Sequence, residues 1–468
     1  MYTLVMRFKK RLFPLLMIGT GFPVALIAQS SPDTLVWLKD ATEMGTQRYH
    51  LLKASKLESD AAVKNIAVAK YSRLPSIDAT YQANLATSNN LTGIFYPTGM
   101  LPMTGPPSPG NNYHPATGSA ASVLLNWQAV TFGQRNAQIQ VSAVEATVKS
   151  AQYQQELFEH KVTVISTYLD VLLAYEVVSI QKRNITRVQA NLKQSRVLAI
   201  TGIKPGVDSA LFLSELSKAT IALLHAKTQL QNQQWTLAQL IVTNALPLPA
   251  DTSLLNQLPS LTNVVDAMPV VHPAIVYAQR QMDWNASKET LLKKSCLPKL
   301  NVWATTFGRG TGFATNGSIK TITGLGLSRY NYGAGVQILF PIMKYGEVSK
   351  QLQAQKALSA AAQERLAQSE AELQTQEHIA HTTFDNSLAV STETVQQLKS
   401  GLYAFQAMQI RYNTGLVNFS DLIQAQYNLL SAELEVKKGY WDVWKALLLQ
   451  AAVKGDAQFF LSAIKPLP

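Results

Sequence analysis

The sequence predicts a mainly α-helical fold with a membrane β-barrel portion, built from duplicated halves that each hold two β-strands and long coiled-coil-like helices. Three observations predict it. Comparing the chain with itself at a shift of 213 residues pairs Gly133 with Gly346, Thr201 with Thr414, Gly202 with Gly415, Asp208 with Asp421 and Leu216 with Leu429. Such a constant offset is the signature of an internal repeat. The stretches that follow Gly133 and Gly346 contain no proline until Pro205 and Pro466, so nothing breaks a helix there. Short segments in both halves alternate apolar and polar residues with a period of two, the pattern of a strand with one wet face.

The chain opens with Arg7, Lys9, Lys10 and Arg11, an apolar stretch from Leu12 to Ile27, and small or polar residues at Ala28, Gln29 and Ser30. Residues 1–28 read as a secretory signal peptide, with an N-terminal anchor as the alternative. No cysteine follows at which an acyl chain could attach, because Cys296 is the only one in the chain, and a single cysteine also excludes an internal disulfide framework. Beyond the signal no window approaches 18 uninterrupted apolar residues, so entry into a membrane requires a closed β structure. The 468 residues carry 41 Lys+Arg and 29 Asp+Glu, a net charge of +12, with only 15% charged and 47% hydrophobic residues. That composition supports a core and excludes a disordered tail protein. Basic residues spread without runs, on an exported chain, point away from nucleic acid.

The first repeat, 29–245, is expected to hold a helix, strands at about 74–90 and 115–130, and long helices at about 134–201 and 208–245. A linker at 246–268 leads to the second repeat, 269–468, with a helix, strands at about 297–313 and 325–342, long helices at about 347–413 and 420–455, and a tail. In the first strand Ile77, Ala79, Tyr81, Ala83 and Leu85 share one face, while Asp78, Thr80, Gln82 and Asn84 share the other. The return strand places Val123, Leu125 and Trp127 together, and the second half repeats the device with Val336, Ile338 and Phe340. Between the first two strands, Thr92 to Gly118 is dense in Pro and Gly and is expected to be an irregular loop. Tyr81, Trp127, Trp303, Phe307 and Phe340 suit an aromatic girdle at the bilayer interfaces, and core packing explains any one of them equally well.

A helix from Gln134 to Thr201 is roughly 100 Å long at 1.5 Å per residue, a coiled-coil or bundle wall rather than a globular helix. Phe158, Val162, Ile165, Leu169 and Leu172, and then Leu422, Ala425, Leu429, Ala432, Val436, Gly439, Val443 and Ala446, follow alternating spacings of 3 and 4. A 3.5-residue period means knobs-into-holes packing. Two strands per half are too few to close a barrel, for which about eight is the minimum. Identical chains must therefore donate strands to one barrel, which predicts a homo-oligomer.

The junctions "RLPSI" at Arg73 and "CLPKL" at Cys296 carry a resemblance, as do the strand exits "NWQAVTFGQR" at Asn126 and "LFPIMKYGEV" at Leu339. With the turns "TGIKPGVDSALFLSEL" and "RYNTGLVNFSDLIQAQYNLLSAEL", the chain resembles the TolC-type outer-membrane efflux protein family over essentially its whole mature length. The resemblance implies a homotrimer with a 12-stranded β-barrel in outer-membrane lipid, standing on a periplasmic α-helical barrel. It implies a passive channel-tunnel exporting substrates for a tripartite efflux or type I secretion system, with no enzymatic activity and no cofactor. A periplasmic adaptor (membrane fusion) protein and an inner-membrane transporter are the implied partners, docking near the turn glycines Gly202 and Gly415. The alternative is a periplasmic or surface coiled-coil scaffold without a pore.

By the same resemblance the periplasmic gate or tunnel constriction maps onto Tyr412, three residues before the second Gly, onto Asp421, six after it, and onto Asp208 in the first repeat. Val417 stands where family members with the well-defined gate carry an Arg, Gln424 where they carry a second tunnel Asp, and Lys204 is that Arg's equivalent in the other repeat. Two readings of Asp208 and Asp421 stand side by side: N-caps of the following helices, or carboxylate rings that attract cations under three-fold symmetry.

His378 and His381, beside Glu377, have a spacing compatible with a divalent ion but lack a third ligand; no metal site is expected. The Gly-rich pieces at Gly308 and Gly324 lack the strand-before, helix-after setting of a nucleotide loop, and no HExxH, Walker loop or G-x-S-x-G occurs.

Overall fold

A computed structural model of the protein describes residues 34–87, 89, 110–259, 271–314, 318–320 and 322–464. The signal-peptide reading, most of the Pro/Gly-rich loop and part of the expected linker lie outside the described residues. The elements run β1 (Thr34–Val36), α1 (Leu38–Arg48), α2 (His50–Tyr71), β2 (Ser76–Ala86), β3 (Ala116–Val130), α3 (Gln134–Ile200), α4 (Val207–Ile241) and β4 (Pro247–Pro249). The second half runs α5 (Pro273–Ser295), β5 (Lys299–Thr311), β6 (Arg329–Leu339), α6 (Lys344–Asn413), α7 (Phe419–Val453) and α8 (Ala457–Ser462).

The long helices form as the absence of proline requires: α3 has 67 residues and α6 has 70, each about 100 Å long. Each is flanked by two shorter helices, α2 then α4 along α3 and α5 then α7 along α6, and α3 also packs on α5 and α7. The stripe Leu422, Ala425, Leu429, Ala432, Val436, Gly439, Val443 and Ala446 is buried along α7. A Cβ at Gly439 would lie 3.1 Å from Thr394 Oγ1 and 3.4 Å from Ser391 Cα, so α6 and α7 approach closely there. Gly133 precedes α3 in the left-handed conformation, with Phe132 at φ 45° before it. Its repeat partner Gly346 differs: α6 starts at Lys344, two residues before Gly346, and absorbs Gly346 into its first turn.

Midway along the helices, β1 pairs in parallel with β4, and α1 and α8 pack against the α3–α7 pair around Tyr168, Leu172, Leu255, Trp444, Leu447 and Phe460. The start of the inter-repeat segment is thus built into the core. Asp251 accepts hydrogen bonds from the Leu38 N–H (2.8 Å) and the Tyr168 hydroxyl (2.9 Å). Leu38 opens α1 with no side-chain cap at Trp37, so Asp251 satisfies a donor that the helix start leaves free. Part of α3 is long and apolar enough by composition to cross a membrane, but Val164, Ile165, Leu169 and Leu172 are fully buried in this band.

At one end of the helices β2, β3, β5 and β6 form an antiparallel sheet in the order β2-β3-β5-β6. Register sets the two faces, because directly paired residues share a side. Ile77 pairs with Leu125, Leu125 with Ala304 and Ala304 with Ala334, and Trp127, Val302 and Val336 lie in the next row of that apolar face. The face is open, with Ile77 66% and Tyr332 92% exposed. The opposite face carries Asp78, Thr80, Gln82 and Asn84. One expectation fails here: Trp303 pairs with Asn126 and Gly335, and Phe307 with Ser122 and Asn331, so both lie on the polar face rather than in an outward girdle. They sit an even number of residues from Asn301, whereas the apolar face of β5 is set by Leu300, Val302 and Ala304. Phe340 falls just beyond β6.

Candidate functional site

The turns α3–α4 and α6–α7 sit side by side at the helix ends away from the sheet; a Cβ at Gly415 would lie 3.4 Å from Ile203 Cγ2. Gly202 (φ 74°) and Gly415 (φ 80°) both adopt the left-handed conformation, which ends α3 and α6 at low steric cost. Under them Leu198, Phe212, Phe405, Leu422, Ile423 and Leu429 form a second core.

Within that core the Tyr412 hydroxyl donates to Asp208 Oδ2 at 2.9 Å and reaches Ser195 Oγ at 3.5 Å. Tyr412 is 1% and Asp208 7% exposed, and Phe212 meets the Tyr412 ring edge-on at 5.8 Å. Burial pushes the Tyr412 phenol up to about 12. Lys204 crosses between the turns: its Nζ donates to the Val417 carbonyl (2.6 Å) and the Gly415 carbonyl (3.3 Å), and lies 5.2 Å from the Tyr412 ring centroid. Val417 therefore contributes a backbone acceptor rather than a side-chain cation, and the cation at this point comes from the other repeat, as Lys204.

The capping expectation needs correction at both aspartates. Asp208 is the second residue of α4, whose N-cap, Gly206, has no side-chain bond; its carboxylate instead turns inward to accept from Tyr412. Asp421 is the third residue of α7, and the cap is Asn418. Asn418 Oδ1 accepts from the Asp421 N–H at 3.0 Å, and Asp421 Oδ2 accepts from the Asn418 N–H at 3.3 Å, a reciprocal capping box. Asp421 and Gln424 are exposed, Gln424 donating to Asn428 Oδ1 at 3.0 Å. His378 and His381 are exposed on α6, and no cluster of three or more metal-ligating side chains occurs among the described residues.

Sequence reasoning missed the polar seam that continues from the turns. Gln409, half-buried, donates to Asn191 (3.1 Å), and within the core Asn191 donates to Gln426 (2.9 Å) and Gln426 to Asn184 (3.2 Å), an amide chain joining α6, α3 and α7. Beyond it Arg187 holds Glu433 through two bonds of 2.8 and 2.6 Å, then Lys437 pairs with Glu176 at 3.2 Å and Lys445 with Asp170 at 2.9 Å. The missed signal was polar residues within a heptad stripe: Asn184, Val188, Asn191 and Ser195 follow 4, 3, 4, all are buried, and all but Val188 are polar. Such amides fix the register of packed helices, at a cost in stability.

The sequence matches the family described as "Outer membrane efflux protein" over residues 44–242 and 274–438. No curated protein matches the chain in sequence. Among solved structures, it is similar to the CmeC outer membrane channel of Campylobacter jejuni, at 15% identity and a TM-score of 0.69 over 89% of this chain and 85% of that one. It is also similar to the outer membrane protein VceC of Vibrio cholerae, at 14% identity and a TM-score of 0.69 over 90% and 96%. The open MtrE channel of Neisseria gonorrhoeae follows at 17% identity and 0.64 over 90% of each chain. These identities carry the fold, and the family match covers both repeats. The chain belongs to the outer membrane efflux protein family: an efflux channel of the outer membrane that extends into the periplasm, and not an enzyme.

Proposed function

We propose that the protein is a passive trimeric channel-tunnel, with three copies supplying a 12-stranded barrel and a periplasmic α-barrel for a tripartite efflux or type I secretion system. One observation carries this reading: a four-stranded sheet whose edge strands, β2 and β6, each have a partner on one side only among the described residues, and whose apolar face is open. Unpaired strand edges cannot stand in a bilayer, and β6 of one copy beside β2 of the next removes every edge at once. Strands of 11 to 15 residues are long enough to cross when tilted. The turns at Gly202 and Gly415, at the opposite end, are the natural seat for a periplasmic adaptor and an inner-membrane transporter that supplies the energy.

The test is a planar-bilayer recording of the purified protein. Sustained unitary openings support the duct; silence at every voltage favours a coiled-coil scaffold without pore activity. In the same recording, Asp421→Ala raises conductance and weakens cation preference if three copies of this exposed carboxylate ring the constriction. An unchanged conductance leaves Asp421 only its place in the capping box. Crosslinking from positions beside Gly202 and Gly415, followed by identification of the copurifying adaptor, tests the docking end.

A further inference from the structure

The polar face of β5 holds a track that the duct reading does not use. Trp303, Thr305, Phe307 and Arg309 alternate along one strand and point to the same side, the side of Thr80, Gln82 and Asn84. Arg309 pairs directly with Arg329 on β6. Two like charges opposite each other on one face destabilise a sheet unless something negative meets them. Nothing acidic is placed to do so: no Asp or Glu lies between Asp78 and Glu145 or between Glu289 and Glu347, and neither arginine forms an ion pair among the described residues. Asp78, the one carboxylate of the sheet, lies level with Thr305, two residue pairs short of Arg309 on that face and two strands away. The Arg309 guanidinium rests 5.3 Å from the Phe307 ring centroid, and Arg309 and Arg329 line a hollow of about 590 Å³ with Gln82, Asn84 and Thr311.

The rings are arranged as a surface rather than as filler. Trp303 lies flat over β6, where a Cβ at Gly335 would come within 2.8 Å of its ring and one at Gly333 within 3.5 Å. Two small residues thus let the indole lie along the wall, 37% exposed. In a barrel whose apolar face meets lipid, this other face lines the lumen, and the strand ends bearing Arg309 and Arg329 are those farthest from the helices.

We propose that β5, with Arg329, forms an exit subsite for organic anions bearing an aromatic ring: the ring passes over Trp303 and Phe307, and the charge meets Arg309 and Arg329. This rests on the duct reading, since a scaffold has no lumen. Naphthalene-1,5-disulfonate and inorganic sulfate, two dianions that differ in the ring, test it as blockers of the purified trimer in planar bilayers. The exit is reached from the outer chamber without passing the turns. For the unmodified channel the expected result is block from one chamber, with naphthalene-1,5-disulfonate acting at about tenfold lower concentration than sulfate, the factor one good stacking contact supplies. Arg309→Gln with Arg329→Gln loses block by both dianions, and Trp303→Ala with Phe307→Ala loses only the advantage of the aromatic one. Equal block by the two dianions in the unmodified channel, or block unchanged by the arginine substitutions, overturns the subsite while leaving the duct intact. Absence of any current in the unmodified protein overturns the duct itself, and the subsite with it.

Discussion

Lys204→Ala combined with Asp208→Ala is expected to shift the closed-to-open balance of the helix-turn end about ten- to a hundredfold toward open, read as open probability and unitary conductance. Each substitution removes bonds made by a charged group, worth about 1.5–3 kcal/mol, and every 1.4 kcal/mol is a factor of about ten. Both act on Tyr412: Asp208 accepts its hydroxyl, and Lys204 lies against its ring while tying the first turn to the carbonyls of the second. The two effects therefore fall short of their sum. Wild-type conductance in the double variant would show that these contacts hold no gate. The phenol adds a pH signature. Burial raises it from its ordinary 10.0 to about 12, so the stabilisation is complete below pH 10, where both states keep the proton. It is lost as pH climbs toward 12, because the released state ionises first. Conductance that rises over that window in the wild-type channel, and stays flat in Tyr412→Phe, is the expected result.

Asp251→Ala is expected to cost about 2–5 kcal/mol, detected as a lower Tm in detergent and as protease cleavage between residues 34 and 48. The substitution strands one buried donor, the Leu38 N–H, at about 1–3 kcal/mol, and removes the bond of the Tyr168 hydroxyl to a charged acceptor, about 1.5–3 kcal/mol, leaving that hydroxyl the Val36 carbonyl at 2.9 Å. Loss concentrated at α1 follows because Asp251 serves as the missing cap of that helix. Burial foremost, then the charge of Asp251, holds the Tyr168 phenol well above its ordinary value, so this band also weakens in alkali once the unfolded chain begins to ionise near pH 10. An unchanged Tm and cleavage pattern would mean that water replaces the carboxylate.

The helical part of the fold was legible because its signals are local. Proline-free length, 3-and-4 spacing and turn glycines act within one or two turns of chain, and the structure buries the α7 stripe residue for residue. The site was legible in its cast but not in its wiring. The family resemblance picks out Tyr412, Asp208 and Lys204, yet their contacts span 204, 208 and 213 positions, distances over which spacing carries no geometry. The caps were misread for a related reason: a carboxylate six residues after a glycine is compatible with several loop shapes, and only the path of the chain decides whether Asn418 or Asp421 stands at the helix start.

By itself the sequence determined the repeat, the lengths and faces of the helices and the one-sided strands, since each follows from periodicity and from counting. Tertiary structure decided which polar groups meet: the Lys204 bridge, the amide chain through Asn191, the cap that Asp251 supplies, and the turn of Trp303 and Phe307 to the polar face. The physical reason is that burial energy depends on a pattern that one strand or helix carries alone. A hydrogen bond or a sheet register depends instead on about an ångström of relative placement between segments far apart in the chain.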